Sequence, residues 1–161
     1  TDKFWDKAEA DFTRALKLEP DQPDVLNYLA YSWLTMNKNI VQARDYLEIA
    51  SAQRPDDAHI LDSVGWAYYL SGDFKAAVTQ FEHAVELMPD DVTINEHLGD
   101  AYWRVGREVE ARYQWQRALS NKPEKEVAEG LNSKIAKGLP AFTPLPAAEA
   151  NAKIAPRPQV P

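Results

Sequence analysis

The chain has 161 residues, 45% hydrophobic and 11% aromatic, enough to bury one sizeable core but too few for a second compact domain. Its formal net charge of -7 repels nucleic-acid phosphate and acidic lipid surfaces, whose recognition relies on clustered Lys and Arg, and leaves other proteins as the default partners. With no cysteine, disulfides, thiolate metal sites and thiol chemistry are excluded, and no run approaches the roughly 18 apolar residues that span a bilayer.

Helix-forming sequence begins at once. A first helix is expected over 4–18, with Ala8, Phe12 and Ala15 on one face and Pro20 beyond its end. The next, 24–36, carries Leu29, Ala30 and Trp33 and stops near Asn37, a residue that tolerates the left-handed conformation closing a helix. Helix 41–53 repeats the small-large-small face as Ala43, Leu47 and Ala50 before Pro55. Asp57 stands as an N-cap for 58–70, which holds Val64, Gly65 and Tyr68 and ends at Gly72. Helix 74–87 then presents Ala77, Phe81 and Ala84 before Pro89. Asp91 caps 92–104, with Leu98, Gly99 and Tyr102 and Gly106 at its end, and 108–120 follows with Ala111, Trp115 and Ala118 before Pro123. An eighth helix, 124–137, carries Lys125, Glu126, Glu129, Lys134 and Lys137, the polar outer face that the end of a stacked array needs. Beyond Gly138 the chain holds six of its eleven prolines; a disordered tail over 138–161 is expected, with docking onto a groove or a partner as the alternative.

The four prolines that follow the helices are spaced by 35, 34 and 34 residues, and the same residue classes recur at fixed offsets before each. Gly65 and Gly99 interrupt otherwise strong helices at about 1 kcal/mol each relative to alanine, a cost that close approach of the paired helix would offset. This period and its signature offsets resemble the tetratricopeptide repeat (TPR) over about residues 4–123. The resemblance implies an all-α fold, a right-handed α-solenoid of antiparallel helix pairs: a half repeat at 4–22, full repeats at 23–57, 58–91 and 92–123, and a capping helix at 124–137. Two departures are local: Asn95 replaces a large apolar residue, and an extra residue falls near Asn37 to Ile40. Because the chain opens on the second half of a repeat, further sequence upstream is expected, with room for a signal peptide or lipid anchor.

Chemistry is sparse. His59 with Asp62 and His97 with Asp100 share helix faces at a spacing of three, which could serve a metal or a base with its orienting acid. No metal motif or glycine-rich phosphate loop accompanies them, so no cofactor, no metal and no catalytic activity are expected.

In a TPR stack the first helix of each repeat lines the concave face, where the family binds extended peptides or partner helices. Carried over, this implies a peptide-binding set of Asn27, Tyr31, Leu34, His59, Asp62, Trp66, Tyr69, Glu96, Asp100, Trp103 and Arg104. Tyr31, Trp66 and Trp103 are the expected aromatic anchors, and Tyr69 the one most suited to packing between repeats. The acidic members favour a basic or apolar partner and leave no place for a carboxylate clamp. A narrower likeness over 61–69 and 95–107 points to C-terminal repeats of bacterial multi-TPR proteins, some of them in the cell envelope. The expected role is a protein-interaction module, an adaptor or scaffold. The alternative is an assembly spacer that self-associates and leaves its groove idle.

Overall fold

A computed structural model of the protein describes residues 2–145. Among these residues there are eight α-helices and no strand: α1 (Asp2–Leu18), α2 (Pro23–Thr35), α3 (Ile40–Gln53), α4 (Ala58–Leu70), α5 (Phe74–Leu87), α6 (Val92–Arg104), α7 (Glu108–Ser120) and α8 (Lys125–Lys137). Each boundary lies within two residues of the position expected from the sequence, because local chemistry sets it. Asp57 accepts from the backbone N–H of His59 and Ile60 at 3.0 and 3.2 Å, and Asp91 from that of Ile94 at 2.9 Å. Gln22 caps α2 through Val25 N–H at 2.7 Å, with Pro23 opening the helix. Left-handed residues close the leading helices: Asn37 at φ 52°, Gly72 at 80° and Gly106 at 81°. The extra residue of the first full repeat is absorbed by a second left-handed asparagine, Asn39, at φ 48°.

Helices pair as α2/α3, α4/α5 and α6/α7, successive pairs stack, and α8 packs on α7. The result is an α-solenoid in which the leading helices α2, α4 and α6 lie side by side, α2 against α4 and α4 against α6. The helical glycines are explained by what lies over them. A Cβ on Gly65 would sit 2.5 Å from the Phe81 ring, and one on Gly99 2.5 Å from the Trp115 indole. The trailing helices α5 and α7 therefore each seat a large aromatic directly on the backbone of their partner. Phe81 and Trp115 are fully buried, as are the flanking alanines Ala77, Ala84, Ala111 and Ala118. Asn95, at its unexpected offset, is also fully buried, and its amide donates to the carbonyls of Pro89 at 2.9 Å and Asp91 at 2.8 Å. It fixes the loop between repeats, work that an apolar residue cannot do.

At one end, α1 is held to α2 by a hydrogen bond from Trp33 Nε1 to Glu9 at 3.0 Å, and its far face leaves Phe4 and Leu18 exposed. At the other end, the described part of the expected tail, 139–145, has neither helix nor strand. It lies against the array nonetheless, with Leu139 and Phe142 on the core of the last two pairs and Leu145 on the core of the first. Its apolar side chains find a surface that composition alone does not reveal. The expectation of disorder over 146–161 concerns residues outside the described range.

Candidate functional site

The wall formed by α2, α4 and α6 divides into three belts along the helix axes. At the leading end the first turns enclose a cleft of about 530 Å³. Four of the expected binding residues line it: Asn27 and Tyr31 from α2, and His59 and Asp62 from α4. Tyr31 and His59 are exposed to solvent, Asn27 is half-buried, and Asp62 is buried at the cleft floor. The sequence reading missed Asp24, Tyr28, Asp57 and Asp91, which also line this cleft. For Asp57 and Asp91 the signal was present, since a cap that recurs with the repeat must bring its carboxylates together once the leading helices align.

The cleft is acidic, although its carboxylates are partly engaged. Asp24 is paired with Arg54 at 2.6 Å, an interaction that holds its carboxyl below the usual range. Asp57 and Asp91 cap helices, and Asp62 binds His97. Burial, then the nearby charges of Asp62 and Asp91, push the Tyr31 hydroxyl up. Tyr31 therefore stands in a negative field as a neutral hydrogen-bonding group on an aromatic ring.

The middle belt is a packed polar and aromatic layer. His97 Nδ1 lies 2.8 Å from Asp62 of the preceding repeat, so the pairing that forms is between repeats and not between His97 and Asp100 on one helix. Trp66 stacks on Tyr69 at 4.7 Å on one side and on the His97 ring at 4.3 Å on the other. Asp100 accepts from Trp115 Nε1 at 2.9 Å and from Lys134 Nζ at 3.0 Å, and Lys134 also donates to Glu96 at 2.7 Å. Burial alone would lower the His97 pKa, but Asp62, followed by Asp100 and Glu96, leaves it raised. Lys134 follows the same logic, its burial outweighed by Asp100 and Glu96. Burial pushes the Asp100 carboxyl up against the pull of Lys134.

These placements correct several expectations. Leu34 is only 1% exposed and belongs to the core, because the face of α2 that carries it meets the stacked helices. Trp66 is taken up by stacking on Tyr69 of its own helix and on His97 of the next repeat. Trp103 packs on Trp115 at 5.8 Å, beneath the Arg112 guanidinium at 5.0 Å and against Gly138. Glu96 and Asp100 are turned toward Lys134 and do not face the cleft. At the trailing end, Tyr69 packs against Phe142 and Arg104 donates to the Pro140 carbonyl, both within the chain's own residues 139–145.

None of the described helices is long and apolar enough to cross a membrane. Comparison with known proteins agrees with this architecture. A TPR repeat model matches residues 65–106 and a tetratricopeptide repeat model residues 3–60. A TPR repeat-containing protein of Pseudomonas aeruginosa is 33% identical over 78 residues, 48% of this chain, a match that spans 13% of that protein's length. A MamA double mutant (RS-1) superimposes with a TM-score of 0.65 at 22% identity, over 74% of this chain and 67% of its own. The type III secretion translocator chaperone SycD of Yersinia enterocolitica, in an alternative dimer, gives 0.65 at 18% identity, over 72% of this chain and 90% of its own. At these identities the two solved structures speak for the fold.

Proposed function

Because the chain belongs to the tetratricopeptide-repeat family, we propose that it is a non-catalytic adaptor that holds a basic or apolar segment of another protein in the cleft at the leading ends of α2, α4 and α6. The observation that carries this reading is the cleft itself, about 530 Å³ shared by three successive leading helices and rimmed by Asp24, Asp57 and Asp91. A cleft of this kind suits a ligand that crosses repeats, since no single helix pair supplies both its walls. Tyr31 is the anchor: the residue is 37% exposed, and covering that remaining surface contributes on the order of 1 kcal/mol before entropic costs. The carboxylate rim steers a cation-bearing partner and supplies acceptors for Lys or Arg.

The test is selection from a random peptide library on the intact chain, followed by anisotropy titration of the enriched sequences. Ligands of net positive charge with apolar residues are expected, with affinity falling as salt rises and falling at least tenfold in Tyr31→Ala. Enrichment of acidic sequences, or ligands indifferent to Tyr31→Ala, would remove the proposal.

A second reading, end-to-end assembly, is favoured by the outer face of α1, where Phe4 and Leu18 are each 82% exposed. Sedimentation that shows a monomer at every concentration would leave that reading without support.

A further inference from the structure

The trailing ends of the same leading helices carry a different surface, and it is filled. After α8 the chain turns at Gly138, φ 71°, where a Cβ would lie 2.1 Å from the Trp103 ring. Only glycine fits there, and the turn directs the following residues across the helix ends. In this strap, 139–145, Leu139, Phe142 and Leu145 are half-buried, while Pro140, Ala141, Thr143 and Pro144 are exposed. Inward residues recur every third position. That is the period of a polyproline II helix, which has no internal hydrogen bonds and is the form in which proline-containing ligands enter aromatic sockets.

The socket has the geometry of a receptor. Phe142 stands edge-on to Phe74 at 5.0 Å and 90° and to Tyr69 at 6.1 Å and 83°. The Arg104 guanidinium lies 5.7 Å from the Phe142 ring centroid, and its Nη1 donates to the Pro140 carbonyl at 2.6 Å. Arg104 is itself aimed by Nε donating to the Tyr69 hydroxyl at 2.9 Å. One arginine thus reads both the ring and the backbone two residues before it. The residues come from α4, α5 and α6, so the socket bridges two repeats, as the cleft does at the other end.

We propose that Tyr69, Phe74 and Arg104 form a second peptide-binding site, selective for extended proline-containing segments of the pattern apolar-x-x-Phe-x-x-apolar, and that 139–145 is its resident ligand, held in cis. The strap is displaceable because it makes no backbone ladder and commits one face alone to the array. A tethered ligand acts at an effective concentration in the millimolar range, so the site is closed to weak competitors and opens to an abundant or tighter segment of the same pattern.

The experiment uses the full chain and a labelled peptide of sequence LPAFTPLP. The intact chain and Phe142→Ser/Leu145→Ser are titrated by fluorescence anisotropy, with circular dichroism confirming that the variant keeps its helix content. The strap-broken variant is expected to bind the peptide at least tenfold more tightly than the intact chain. Adding Arg104→Ala should lose at least tenfold, replacing the peptide's Phe by Ser should abolish binding, and Tyr31→Ala should change nothing, which separates this site from the cleft. In the intact chain, saturating peptide should move the Phe142 ring NMR resonances away from their packed positions against Phe74 and Tyr69 and toward those of a free peptide. Equal binding by intact and strap-broken chains, binding indifferent to Arg104→Ala, or unmoved Phe142 ring resonances would each overturn the proposal.

Discussion

Gly99 and Gly130 are both glycines inside helices, yet their surroundings set opposite consequences for the same substitution. At Gly99 an added methyl would meet Trp115 at 2.5 Å and the Ala111 carbonyl at 3.0 Å, whereas at Gly130 nothing lies within 4 Å. Gly99→Ala is therefore expected to destabilise by about 1 to 3 kcal/mol through overpacking. Gly130→Ala is expected to stabilise by about 0.5 to 1 kcal/mol through the unfolded chain and helix propensity. Urea denaturation of the two variants checks both signs. His97 is the residue whose charge depends on its neighbours. Its folded pKa is raised above the unfolded value near 6.5, with Asp62 at 2.8 Å opposing the effect of burial. The stabilisation is therefore complete below about pH 6.5 and lost as pH rises through the folded value. The stability difference between the wild type and His97→Gln should shrink between pH 6 and pH 9. NMR titration should place the imidazole above its ordinary pKa, and in Asp62→Asn below it.

At the scale of elements, α8 shows how an array is closed. It has one fully buried side chain, Leu131, and a largely exposed remainder, so its place depends on a few directed contacts. Lys134 bridges Glu96 and Asp100 of α6, and Arg112 Nε of α7 donates to the Ile135 carbonyl at 3.1 Å. Truncating Lys134 leaves Asp100 buried without its counter-charge, which costs more than the pair itself contributes. Lys134→Ala is expected to raise hydrogen exchange throughout α8 by about tenfold to a hundredfold while leaving α4 and α5 unchanged. Uniform loss of protection across all helices would show that α8 is not an independent cap. The caps at Asp57 and Asp91 were legible from the sequence because their bonds are local. The Lys134 bridge was not, since its partners are 34 and 38 residues away and charge pattern alone marks Lys134 as one solvated residue among several.

For the whole molecule, stacking makes stability a sum over neighbours. Phe81 sits in the central pair, fully buried on Gly65, with its ring 5.5 Å from His97 of the next repeat. Phe81→Ala is expected to cost about 3 to 5 kcal/mol and to uncouple the two ends, so that unfolding followed by tryptophan fluorescence and by circular dichroism no longer coincides. Coincident transitions would mean that the array is more cooperative than nearest-neighbour stacking allows. What the sequence by itself determined was the period, the helix boundaries and the close contacts at Gly65 and Gly99, because these follow from local conformational preferences repeated at fixed spacing. It also named Tyr31, His59 and Asp62, which line the cleft. Only the tertiary structure decided which first-helix residues remain open to a ligand. Trp66, Trp103, Glu96 and Asp100 occupy outward offsets like the others, but neighbouring repeats, α8 and the strap take up their surfaces. Those contacts join residues far apart in the chain, and a repeating pattern holds no record of what packs across it.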